Sequence, residues 1–208
     1  MQKRLDNLNY CREKSPSSEL TKMLTRDESL EMFWLAASNG KVIEAYYSPK
    51  RINEHQKCLL DVLIEFFKGK VISKWAYVSY REIESFLRDN NDSPAFPADM
   101  AQEDLFYSWV GQFIYAVLEN LTQWSEKPRG WENFSQLEKI KEIKLILSEK
   151  IDPWFRATLI DLEGDEAVIS LKRDGLLSAP IENALALFIR DALRRELGAP
   201  QIEILLET

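Results

Sequence analysis

The sequence predicts an α+β protein made of two small domains, and three observations carry that expectation. Asn39-Gly40 lies between two apolar and aromatic runs, the strongest short-range signal for a β-hairpin. Downstream of it, apolar residues recur at helical rather than strand spacing. After proline and glycine among charges at Lys127-Pro128-Arg129-Gly130, the pattern reads helix, strand, strand, helix, strand, which is a second α+β unit in itself.

Taken in order, residues 1–25 are polar and are broken by Ser15-Pro16-Ser17-Ser18, so a loosely docked arm is expected. Leu30 to Ala37 and Val42 to Tyr47 form the hairpin strands, because a type I′ turn needs positive φ at both central residues and Asn-Gly supplies it. From Asn53 the period changes: Leu59, Leu60, Leu63, Ile64 and Phe67 share a helical face, and Gly69 stands where a helix would end. Ser79 followed by Glu82 is a capping box that opens a shorter helix with Ile83, Phe86 and Leu87 on its inner face. Asn90 to Pro97 has the composition of a loop. A long helix from about Gln102 to Trp124 carries an apolar band too wide for a single contact, which implies burial against more than one neighbour.

Beyond the linker, Phe134 to Leu147 reads as helix, stopped by Asp152-Pro153. Phe155 to Leu162 and Ala167 to Leu171 alternate as strands joined by the acidic turn Glu163-Gly164-Asp165-Glu166. After a turn around Asp174-Gly175, Ile181 to Leu197 is the clearest amphipathic helix, closed by Gly198, and Ile202 to Leu206 supplies the last strand. The domains expected are 1–128 and 129–208.

Composition narrows the function classes. With 208 residues, 45% of them hydrophobic and 29% charged, the chain has the makeup of an ordinary folded protein. A net charge of −7 without a basic stripe argues against nucleic acid as a partner. No apolar stretch approaches the ~20 residues that cross a bilayer, and no apolar segment follows the charged start, so neither a membrane span nor a secretory signal is expected. Cys11 and Cys58 are too few for a disulfide framework and fit a reducing, cytoplasmic compartment, with one Cys11–Cys58 bridge as the alternative.

Two segments carry a resemblance. The hairpin from Leu30 to Tyr47, the helix ending Glu65-Phe66-Phe67-Lys68-Gly69-Lys70, the short helix, the proline-containing loop and a long helix entered through Glu103-Asp104 resemble the IscU/NifU N-terminal scaffold domain. Ile151-Asp152-Pro153-Trp154, the second hairpin, the loop leading to Pro180 and the helix through Arg190 to Glu196 resemble the NifU C-terminal domain, also found alone in Nfu-type carriers. The resemblance implies iron–sulfur cluster assembly and partners such as a cysteine desulfurase.

The departures fall on the chemistry. The scaffold family holds its cluster on three cysteines, whose positions correspond to the neighbourhoods of Asp27, Asn53 and Ala98 here, and none is cysteine. The family's chaperone-docking segment has no good counterpart in Asn91 to Ala95. The C-terminal Cys-x-x-Cys before proline reads Leu176-Leu177-Ser178-Ala179-Pro180, so Leu176 and Ala179 stand where thiols would. Iron–sulfur bonds require soft thiolates that carboxylates and amides replace poorly. The expectation is therefore a cysteine-depleted accessory or regulatory partner of cluster assembly with no cofactor and no catalysis.

Two other readings stand beside it. His55 and Cys58 lie three apart near a helix start, with Glu54 and Asp61 in helical reach, and imidazole, thiolate and carboxylate together suit zinc. Two ligands fall short of the usual three or four, and a small buried thiol beside a solvated imidazole explains the same pair. The other reading is that both domains were reused as a protein-interaction module. Phe106, Tyr107, Trp109, Phe113 and Tyr115 on the long helix are core on one reading and a docking surface on the other. With one histidine and no phosphate-binding glycine loop, no catalytic set is supported.

Overall fold

Asn39 and Gly40 both take positive φ, 52° and 70°, as the hairpin turn requires, and from that turn the first sheet is built. The computed structural model describes residues 8–11, 21–23, 30–88, 95, 102–164, 166–171, 177–198 and 202–207. Asp27, Ala98, Leu176, most of the 1–25 arm, the Asp174-Gly175 turn and all but Ala95 of the 90–97 loop lie outside these residues. The fold is α+β. It divides into two units, Met1–Leu121 and Thr122–Thr208, so the boundary falls before the Lys127–Gly130 segment that composition singles out.

In the first unit, β1 (Thr21–Met23), β2 (Leu30–Ser38) and β3 (Lys41–Pro49) form an antiparallel sheet in chain order. The register slips between Ala36 and Ala37, which leaves Ile43 unpaired as a bulge. The outer edge of β3 is covered at both ends. Tyr47 N donates to Tyr10 O at 3.0 Å, while Gly69 N and Ile72 N donate to Val42 O and Gly40 O, each at 2.8 Å. Such covering protects an edge strand from pairing with other chains.

Helix α1 (Glu54–Phe67) begins at a full capping box: Asn53 Oδ1 accepts from Gln56 N, and Gln56 Oε1 accepts from Asn53 N, both at 2.9 Å. Its inner face buries Leu59, Leu60, Leu63, Ile64 and Phe67, each worth about 1.5–3 kcal/mol over exposure. A single turn, α2 (Ile72–Trp75), has no counterpart in the sequence expectation; it stacks Trp75 on Phe67 with ring centroids 4.4 Å apart. Helix α3 (Tyr80–Leu87) opens on the Ser79/Glu82 box. Phe86, expected on its inner face, is exposed. Helix α4 (Glu103–Leu121) packs against β2, α2 and α3, the several neighbours its wide apolar band implies.

In the second unit, Ser135 and Glu138 form a third capping box, which opens α5 (Gln136–Ile146). A π-helical turn, Leu147–Ile151, follows, and Asp152 Oδ1 accepts from Ala157 N at 2.6 Å, turning the chain into β4 (Ala157–Glu163). β4 pairs antiparallel with β5 (Glu166–Leu171). Helix α6 (Ala179–Leu197) carries Pro180 in its first turn, where the missing N–H costs nothing, and ends at Gly198 with φ 74°. It returns the chain to β6 (Glu203–Glu207), which pairs parallel with β5 and gives the order β4-β5-β6. The core lies between one face of this sheet and helices α5 and α6: Leu159, Ile169, Ile143, Leu185, Phe188 and Ile189 are buried there.

The segment before the expected boundary belongs to this second unit because α6 captures it. Glu196, fully buried, accepts from Ser125 N at 3.0 Å and from Ser125 Oγ, with Lys150 Nζ at 3.7 Å and Arg129 at 4.0 Å. Trp124, expected as the end of the long helix, instead packs beside Phe188 and under the Arg195 guanidinium.

Candidate functional site

The residues that could carry chemistry gather around α1 of the first unit. Cys58 is fully buried and His55 partly so. The carboxylates within helical reach of them are engaged elsewhere. Glu54 Oε1 pairs with Lys57 Nζ at 2.5 Å. Asp61, fully buried, accepts from Asn9 N at 3.2 Å and Tyr10 N at 2.7 Å. Among the described residues, no three or more histidines, cysteines, aspartates or glutamates are arranged to hold a metal ion.

A grouping that sequence spacing does not reveal surrounds Tyr47. This fully buried residue sits on β3 with its hydroxyl donating to Lys57 O at 3.0 Å. Cys11 is bridged to Tyr47 along the backbone and shares a side-chain hydrogen bond with it, and Cys58 and Asp61 are near enough to act on the phenol electrostatically. Burial first, then the Asp61 carboxylate and the two thiols, hold the Tyr47 hydroxyl far above the ordinary tyrosine range, so it stays protonated. The two thiols of the chain, 47 positions apart, thus flank one phenol; neither is in a disulfide, and Cys11 is part-buried and Cys58 buried. Asp61 acts as the clasp that holds residues 9–11 against β3 and α1. The only sequence signal for it is an acid among the apolar positions of an amphipathic helix.

Of the positions that the resemblance set against cluster cysteines, Asn53 and Ala179 are described, and neither is a thiol. Asn53 is the N-cap of α1, and its side-chain oxygen is occupied by the Gln56 N–H. Ala179 is the first residue of α6 and exposed, preceded by part-buried Leu177 and Ser178. Ser178 caps the helix without a side-chain hydrogen bond, and its Oγ is buried with no partner. A hydroxyl, an alanine methyl and a leucine offer no soft donor for iron, so the described part of this segment supplies none of the thiolates a cluster takes.

The aromatics of α4 divide. Phe106, Trp109 and Phe113 are buried and belong to the core, while Tyr107 and Tyr115 are part-buried, with Tyr107 Oη accepting from Tyr80 N at 3.3 Å. The docking surface considered for this helix therefore lacks three of its five rings. No helix among the described residues is long and apolar enough to cross a membrane. No protein-family model, curated protein or solved structure matches the chain.

Proposed function

We propose that the chain is a cysteine-depleted NifU-like protein: a cytoplasmic, non-catalytic accessory that binds proteins of iron–sulfur cluster assembly and holds no cluster itself. The observation that carries this reading is the start of α6. There Pro180 lies in the first helical turn, as the proline of a Cys-x-x-Cys-Pro segment would, while exposed Ala179 stands where the second thiol would be; the first thiol position, Leu176, lies outside the described residues. The element order of both units supports it, since each is the order that the resembled domains carry. The cluster would be the cargo of the partners. The metal-binding alternative at His55 and Cys58 has less support, because Glu54 and Asp61 are engaged by Lys57 and by the Asn9 and Tyr10 amides.

Two measurements on the purified chain test the proposal. Anaerobic incubation with iron, sulfide and thiol should leave it colourless, and a stoichiometric cluster absorption would overturn the cluster-free assignment. Immobilised chain should retain a purified cysteine desulfurase. Failure to retain it would favour the repurposed interaction module instead.

A further inference from the structure

Among the described residues, the sheet of the second unit has one face covered by α5 and α6 and one face left open, and the open face is not an ordinary solvated one. Register places Glu163 opposite Glu166 and Glu166 opposite Glu203, so three glutamates form one row across all three strands. In the adjoining row Asp161 lies opposite Val168, and Val168 opposite Leu205, with Ile160 inserted at the bulge beside Asp161. Ile160 and Leu205 are 56% and 42% exposed, and the three glutamates are exposed. The strands contain Asp161, Glu163, Glu166, Glu203 and Glu207 and neither lysine nor arginine. Like charges directly opposite one another oppose sheet pairing, and one lysine or threonine in the row would relieve it. Single exposed apolar residues are ordinary, but Ile160, Val168 and Leu205 lie together across the three strands beside Asp161, and contiguous apolar side chains of this kind mark a contact surface.

We propose that this open face docks an amphipathic, basic helix of a partner protein, its apolar stripe on Ile160, Val168 and Leu205 and its lysines or arginines over Glu163, Glu166 and Glu203. The dimensions match one helix: three strands span about 10 Å between the outer two, and a helix with side chains is about 10–12 Å across. The uniform negative charge selects the occupant, since it repels an acidic segment and attracts a basic one, steering its approach. A helix placed there completes a third layer and covers the face that α5 and α6 leave bare. The inference does not depend on the partner belonging to iron–sulfur assembly.

The test uses the full chain and a fluorescent amphipathic peptide of leucine and lysine, with its leucine and glutamate twin as control, read by anisotropy. Saturable, salt-sensitive binding of the lysine peptide alone is expected. Glu166→Lys with Glu203→Lys should weaken it by about tenfold, as should Ile160→Thr with Leu205→Thr, which keeps strand-forming residues. Glu132→Lys with Glu149→Lys, at exposed positions off the sheet, changes net charge equally and should alter affinity by less than about threefold. Glu166→Gln with Glu203→Gln repeats the test should the lysine pair fail to fold. Equal weakening by the on-sheet and off-sheet pairs, binding of both peptides alike, or no saturable binding overturns the proposal. So does a concentration-dependent dimer abolished by Ile160→Thr with Leu205→Thr, which would assign the face to a second copy of the chain.

Discussion

Removing the carboxylate of Glu196 should release the Ser125 segment from α6 and unfold the second unit preferentially. The magnitude follows from what the side chain holds. The two hydrogen bonds from Ser125 are charge-assisted and end on a buried carboxylate, but Ser125 itself is exposed, so together they are worth about 1.5–3 kcal/mol before the cost of burying the carboxylate. Lys150 and Arg129 remain 14% and 33% exposed and can turn to water when the carboxylate is gone, so each pair adds no more than about 1 kcal/mol. Glu196→Ala removes the acceptor but leaves the exposed Ser125 amide and hydroxyl in reach of water, and should cost about 2–3 kcal/mol. Glu196→Gln retains an acceptor oxygen and should cost about 1–2 kcal/mol. Native-state hydrogen exchange of the α6 amides reads this unit separately from the first. The pH dependence supplies an independent check. Burial works against the charged form of Glu196, but the Ser125 hydrogen bonds, then Lys150 and Arg129, outweigh it and hold its carboxyl below the usual value of 4.5. A depressed folded pKa gives stability that is fully present above the unfolded value and lost as pH falls through the folded one. The gap between wild type and Glu196→Gln should therefore be constant near neutrality and close below pH 4.5. An alanine variant within about 0.5 kcal/mol of wild type, or a gap unchanged in acid, would refute the clasp.

Three further outcomes are expected. Asp61→Ala should free residues 9–11 from α1 and β3, costing about 2–4 kcal/mol by urea unfolding and exposing Cys11 to thiol reagents; unchanged Cys11 labelling would contradict the clasp role. Glu166→Thr relieves the glutamate row and should raise stability by about 0.3–1 kcal/mol in a thermal melt, whereas a loss would mean the row is not repulsive. Cys58→Ser should change stability by about 1–2 kcal/mol and leave metal content by mass spectrometry unaltered, and loss of a stoichiometric zinc would revive the His55/Cys58 site.

Local chemistry was legible in the sequence wherever it is short-range. The Asn39-Gly40 turn, the Ser79/Glu82 box and Gly198 depend on residues within a few positions of one another, and each stands where its pattern placed it. The α+β class follows from such patterns, because strand and helix periods are read over one or two turns. The absence of thiols at Asn53, Ala98, Leu176 and Ala179 is likewise a property of the sequence alone. Tertiary structure decided what depends on distant residues meeting. Phe86 follows the helical period yet faces solvent, since period identifies a stripe but not which neighbour covers it. The unit boundary moved ahead of the proline-glycine segment because Glu196, 71 residues further on, supplies the buried acceptor that holds Ser125. Tyr47 meets Cys11 through the pairing of residues 10–11 with β3, and Cys58 and Asp61 through the packing of α1 against that strand. The acidic turn at Glu163–Glu166 is read from sequence only as a strand connection; strand register sets Glu203 beside Glu166, and a parallel strand reached by a crossover helix has no sequence-local cue that fixes its register.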